Sequence, residues 1–201
     1  MRLGVDFDNT LVCYDRVFFT TACEQTLIPP HTPPSKEAVR DYLRSQRQEE
    51  EWTRLQGYVY GARMAEAKAF PGAAEFLREC HALAIPVFVV SHKTRYACAG
   101  PRYDLHQAAY DWLRLTHFLD ERHTGLSESR VFFELSREAK LERIARLGCT
   151  HFIDDLPECL LDPAFPPGVE RILFAPHGGE AAAAGGLKVV RDWDEAKELL
   201  L

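Results

Sequence analysis

The 201-residue chain has six cysteines but no Cys-x-x-Cys pair, no surplus of positive charge, and no apolar run near membrane-spanning length. Cys13, Cys23, Cys80, Cys98, Cys149 and Cys159 are scattered, which argues against a zinc site or a thioredoxin-like site. Thiols used this way suit a reducing compartment. The formal net charge of −6 leaves no nucleic-acid footprint, so no nucleic-acid polymer is expected as a partner. The longest apolar runs are strand-sized, such as Val87-Phe88-Val89-Val90, and no membrane association is expected. A positively charged leader with an apolar core is also lacking at the first residues, and the expectation is a cytoplasmic protein. The eight histidines show no pairing that suggests metal or relay duty.

What is present is ordinary globular composition, 46% hydrophobic and 27% charged, enough for one substantial core with a small second module. Short apolar runs alternate with helical patterns, which predicts an α/β parallel sheet. The strands are expected at Arg2–Phe7, Pro86–Ser91, Arg130–Glu134, Thr150–Ile153 and Arg171–Phe174. The helices between them are expected at Gly72–Leu83, Asp104–Leu115 and Arg137–Leu147, with a last one at Asp194–Leu200. Gly148 stands where a left-handed helix cap is needed, and a flexible Gly/Ala stretch runs from Gly178 to Gly186.

One stretch breaks the alternation. From Thr10 to Pro71 no strand is evident; a helical pattern over Arg16–Leu27 leads to a Pro-rich turn, Pro29 to Pro34. A long charged helical region then runs from Ser35, a plausible N-cap, to Ala67. The organisation expected is a core of residues 1–13 and 69–201 with a helical insertion over 14–68. An insertion after the first strand is expected over its C-terminal end, where α/β sheets bind ligands.

Chemistry concentrates at the strand ends. The first strand runs into Asp6-Phe7-Asp8-Asn9-Thr10, two carboxylates one residue apart followed by a hydroxyl. Acids at the end of a buried strand are costly unless a cation or a reacting group compensates them. The strand at Pro86 ends in Ser91-His92-Lys93, Lys140 lies near the start of a helix, and the strand at Thr150 ends in Asp154-Asp155. Mg²⁺ prefers such oxygen ligands, and Asp6, Asp8, Asp154 and Asp155 are the candidates. Each signal alone is weak; the ordered set is not.

In that order, Asp6-Phe7-Asp8-Asn9-Thr10, Ser91, Lys140 and Asp154-Asp155 resemble the four motifs of the haloacid dehalogenase-like (HAD) superfamily. The resemblance spans essentially the whole chain. It implies a Rossmann-like three-layer core with a small helical cap of the C1 type, inserted after the first strand. It also implies a Mg²⁺-dependent phosphatase acting on a small phosphorylated metabolite. On this resemblance Asp6 is the nucleophile that becomes an aspartyl-phosphate, and Asp8 is the acid and then the base. Asn9 and Thr10 orient the loop, Ser91 binds phosphoryl oxygens, Lys140 offsets charge, Asp154 is the direct metal ligand, and Asp155 is a second ligand through water or a partner of Lys140. Glu158 is a helix-surface residue or an outer partner of the metal. The loop Lys93 to Tyr103 is rich in cations and aromatics, so Lys93, Arg95 and Arg102 either engage the substrate or form a solvated basic loop. His92 adjoins Ser91 and is a further substrate contact. Gln56, Tyr60 and Arg63 share a helical face that looks into the site or packs within the insertion, and Gly57 and Gly61 beside it allow close helix approach. A phosphotransferase or mutase of the same architecture, and a binding module without turnover, are the alternatives. The oligomeric state is not legible.

Overall fold

Strand β1 (Leu3–Val5) has no exposed side chain, and its centre is a glycine. That is the pattern of a strand with neighbours on both sides. A computed structural model describes residues 1–178 and 186–201 of the chain; most of the expected Gly/Ala stretch, residues 179–185, lies outside the described residues. Its remaining strands are β2 (Val12–Cys13), β3 (Lys68–Ala69), β4 (Val87–His92), β5 (Val131–Glu134), β6 (His151–Asp154), β7 (Glu170–Phe174) and β8 (Lys188–Val190). The helices are α1 (Asp15–Glu24), α2 (Lys36–Ser45), α3 (Glu49–Tyr60), α4 (Ala73–Ala82), α5 (Leu105–Leu115), α6 (Arg137–Arg146), α7 (Pro157–Leu160) and α8 (Trp193–Leu200).

Among the described residues, six strands form one parallel sheet in the order β5-β4-β1-β6-β7-β8. The register aligns Val5 with Val89 on one side and with Ile153 on the other, so the ends of β1, β4 and β6 lie level. Those ends carry Asp6, Ser91 and Asp154. Successive strand residues face opposite sides of the sheet. Phe88, Val90, Phe152 and Leu173 join one buried cluster with Leu141 and Ile144 of α6. Phe174, one residue on from Leu173, meets Trp193 of α8 at 5.4 Å, and Trp193 meets Phe76 of α4 at 4.9 Å. The expected three-layer α/β core is therefore the one observed. The strands β2, β3 and β8 were not expected: β2 and β3 fall between Thr10 and Pro71 and are only two residues long, and β8 is three residues long and follows the Gly/Ala stretch.

The chain divides into two compact units: Met1–Val12, Ala69–Lys93 and Thr116–Leu201 in the first, Cys13–Lys68 and Thr94–Leu115 in the second. The second unit thus contains the expected insertion together with Thr94–Leu115, which sequence reasoning assigned to the core. The physical reason is Trp112 of α5. It is almost fully buried, and its indole N–H donates to the Ala67 carbonyl at 2.9 Å, a partner distant in sequence. Ser35 caps α2 as expected, its hydroxyl accepting from the Ala38 N–H at 3.1 Å. The single long helical region expected after it is two helices, because Arg47 adopts a left-handed conformation (φ 59°) between α2 and α3. Tyr60 packs inside this unit, 4.9 Å from the Tyr14 ring and 5.4 Å from that of Phe18. Gly57 and Gly61 do permit close approach, but of a loop: an added Cβ would stand 2.8 Å from Ala97 Cβ and 2.4 Å from Tyr103 Cβ respectively.

Candidate active site

The first unit brings its strand ends together through backbone bonds. The Asp6 N–H donates to the Ile153 carbonyl at 2.8 Å, tying the end of β1 to the strand that delivers Asp154. The chain then turns sharply: Asn9 sits in the left-handed region (φ 55°), a conformation that Asn tolerates better than most residues. The Asn9 amide donates to Asp155 Oδ2 at 3.1 Å, linking the first expected motif to the last. On the other side, Ser136 caps α6 by accepting from the Ala139 N–H at 3.2 Å, which places Lys140 in the helix's first turns.

Lys140 is buried, and its Nζ reaches two carboxylates, Asp6 Oδ1 at 2.5 Å and Asp154 Oδ2 at 2.7 Å. The other Asp154 oxygen, Oδ1, accepts from the Leu156 N–H at 3.0 Å. Burial pushes the Asp6 carboxyl up to about 7; Lys140 opposes that shift, and Asp154 adds to it. For Lys140, burial works against the charged form, but the Asp154 and Asp6 carboxylates outweigh it and hold the ammonium above its ordinary range. The Cys159 thiol, also buried, bonds to Asp154 and is pushed up chiefly by burial. No sequence signal pointed to Cys159; it is five residues beyond Asp154 in a short helix.

Oxygens of Asp6, Asp154 and Asp155 lie within 4.8 Å of one another. Three clustered carboxylates, two of them sharing one lysine, leave a negative surplus, and hard oxygen donors of this kind suit Mg²⁺ or a similar divalent ion. The residues present therefore fit such an ion. Among the described residues, Thr10 Oγ1, just beyond the Asp6-Phe7-Asp8 segment in sequence, is a buried side-chain atom without a hydrogen-bond partner. An unpaired buried hydroxyl costs about 1–3 kcal/mol.

Asp8, expected with the metal ligands, is not in that group. Its two oxygens accept from Lys93 Nζ, at 2.9 Å and 2.8 Å. Lys93 in turn is not on a solvated loop: its side chain is 3% exposed, and the structure gives it Asp8 as its partner. The misplacement has a simple cause. Lys93 begins a run of exposed cations, and nothing in the sequence marks it off from them. Ser91 is buried at the end of β4, and His92 beside it is exposed opposite Glu134. Glu158 is exposed on α7.

Arg63 and Arg95 belong to the second unit. Arg63 is engaged by Glu66, with Nε–Oε1 at 2.7 Å, and also by Glu24. Arg95 is exposed and bonds Asp104 at 3.3 Å, while Arg102 stacks 4.0 Å from the Tyr96 ring centroid. A groove within this unit is lined by Ala62, Ala65, Ala108, Trp112 and Leu115 among others, and none of the expected site residues lines it.

No protein-family model and no curated protein matches the chain. Solved structures do. A HAD family hydrolase from Deinococcus radiodurans R1, with bound phosphate and sodium, aligns at TM-score 0.60 and 16% identity over 99% of this chain and 94% of its own. A dehalogenase aligns at TM-score 0.61 and 16% identity over 99% of this chain and 96% of its own. A protein described as a predicted phosphoglycolate phosphatase from Haemophilus somnus 129pt aligns at TM-score 0.58 and 14% identity, over 100% of this chain and 97% of its own. At such identities the likeness is one of fold.

Proposed function

For a chain with the fold of HAD-like hydrolases, we propose a Mg²⁺-dependent phosphomonoester hydrolase that works through an aspartyl-phosphate on Asp6. The observation that carries the reading is the separation of two carboxylates by their lysine partners: Asp6 shares Lys140 with Asp154, whereas Asp8 pairs with Lys93. On this reading one carboxylate attacks and the other manages protons. Phosphate bound in the Deinococcus relative supports the same substrate class.

In the first half-reaction an Asp6 oxygen attacks phosphorus and the bond from phosphorus to the ester oxygen breaks. That oxygen keeps the electron pair and takes a proton from Asp8. In the second, water attacks phosphorus, its proton passes to Asp8, and the phosphorus bond to Asp6 breaks to release inorganic phosphate. Lys140 lowers the repulsion between Asp6 and an anionic ester; opposite charges 4 Å apart attract by about 4 kcal/mol at an effective dielectric near 20. Asp6, Asp154 and Asp155 would hold Mg²⁺, which would supply further positive charge against that repulsion. Ser91, Thr10 and nearby backbone amides bind the phosphoryl oxygens, the Thr10 hydroxyl being buried and without a hydrogen-bond partner among the described residues.

The substrate we propose is a small phosphorylated metabolite, as the resemblance of the ordered motifs implies. His92, Arg63 and Arg95 stay as candidate substrate contacts on that reading. Six free thiols favour the cytoplasm. Dehalogenation is the second reading, because a dehalogenase shares the fold. Asp8 weighs against it: a departing halide needs no proton.

The test is phosphate release from a set of phosphorylated metabolites with Mg²⁺, in the absence of an organic acceptor, with Asp6→Asn as the blank. Metal-dependent release that the blank lacks is expected. Halide release from 2-haloacids, or phosphoryl transfer only when a sugar acceptor is added, would replace this reading by the corresponding alternative.

A further inference from the structure

We propose that Lys93 is a positioning residue: its ammonium holds Asp8 as an aimed carboxylate for the half-reaction in which water is activated. The inference deepens the phosphatase reading and rests on it.

Lys93 is fixed at three points. Its backbone N–H donates to the Glu134 carbonyl at 2.8 Å, extending the β4–β5 pairing one residue beyond β4. Its ammonium lies 5.6 Å from the centroid of the Phe7 ring, which is itself set edge-on against Phe133 at 5.3 Å. The Nζ then meets both oxygens of Asp8 at nearly equal distance. The Lys93 side chain is 3% exposed, whereas that of Asp8 is 20% exposed.

That asymmetry argues for function. Burying an ammonium costs several kcal/mol, which an ion pair must offset. Asp8 is open enough to water to need no buried cation for its own solvation. What a buried, three-point-fixed ammonium adds is direction: a carboxylate bound through both oxygens cannot rotate freely. A carboxylate oxygen carries more than one lone pair, so pairing with Lys93 does not by itself stop Asp8 from accepting a proton from water. Positioning of this kind acts on rate through geometry, where small displacements are expensive.

The test uses the full chain with Mg²⁺ and p-nitrophenyl phosphate, whose acidic leaving group departs with little proton assistance. The first half-reaction is then nearly indifferent to Asp8, and the second is not. Lys93→Met keeps the apolar stem and removes the charge. It is expected to lower kcat by about 10-fold or more while kcat/KM falls less than about 3-fold, with a burst of one nitrophenol per enzyme. Lys93→Arg is expected to recover part of kcat, and Lys93→Met in an Asp8→Asn background to add no further loss. If Lys93→Met does not fold, Lys93→Gln carries the same expectation. Equal falls in kcat and kcat/KM, or losses that multiply in the double variant, would show a merely structural lysine and overturn the inference. Full activity in Lys93→Met overturns it alone. Absence of turnover in the unmodified protein overturns the phosphatase reading, and the inference with it.

Discussion

Lys140 Nζ stands 2.7 Å from Asp154 Oδ2, and both side chains are buried, 3% and 0% exposed. The contact joins α6 to the end of β6, and the same ammonium also reaches Asp6 at the end of β1. It is therefore a structural joint as well as a charge in the site. Removing it by Lys140→Met leaves two buried carboxylates facing each other without a counter-ion. Breaking a buried pair in this way costs about 3–5 kcal/mol. Urea unfolding of the metal-free protein is expected to show a loss of that order, and Mg²⁺ to restore part of it by replacing the missing charge. An unchanged unfolding midpoint would mean that the two acids do not depend on Lys140.

Gly4 tests how tightly the strand ends are set. It lies at the centre of β1, and a Cβ placed there would stand 2.4 Å from Phe152 Cδ2 and 3.1 Å from Cys149 Sγ. Phe152 is two residues before Asp154, so relief of that clash must move the strand that carries a proposed metal ligand. Gly4→Ala is expected to cost about 1–3 kcal/mol by overpacking. It should also weaken the Mg²⁺-induced rise in melting temperature. Gly148→Ala is the control. Gly148 has φ 63° and nothing within 4 Å of an added Cβ, so its cost is backbone strain. About 1 kcal/mol is expected there, with the Mg²⁺ response intact. Equal Mg²⁺ responses in the two variants would contradict the argument from β6.

These residues also show what was legible in the sequence and what was not. The strands that build the site are short, apolar and punctuated by acids, so their ends could be read from composition alone, and the structure sets Asp6, Lys140, Asp154 and Asp155 together. The Ser35 cap and the Gly148 turn were equally local, and local signals survive folding. The partner of Lys93 was not local: Asp8 is 85 residues away in sequence. The grouping of α5 with the helical unit depends on Trp112 reaching Ala67, 45 residues away. The break between α2 and α3 had no Gly or Pro to announce it; Arg47 takes the left-handed conformation at a cost that only the surrounding packing can offset.

The cysteines give a prediction independent of the active site. Cys80 and Cys149 are buried, 0% and 5% exposed, whereas Cys98 is exposed. Burial, the main cause in each case, pushes the Cys80 thiol up to about 12 and the Cys149 thiol up to about 11, from an ordinary 9.0. The sign follows from proton counting. Below the unfolded value near 9 both states hold their thiol protons, and this contribution to stability is fully present. As pH rises from there toward the folded values, the unfolded chain sheds protons that the folded chain keeps, and stability is lost. The unfolding midpoint is expected to fall between pH 8 and pH 10, and to fall less in a Cys80→Ala, Cys149→Ala variant. At pH 8 a thiol reagent should label Cys98 promptly and leave Cys80 and Cys149 untouched until denaturant is added, as peptide mass analysis would show. Native-state labelling of Cys80 or Cys149 at the rate of Cys98 would place those thiols at the surface and remove the basis for the alkaline instability.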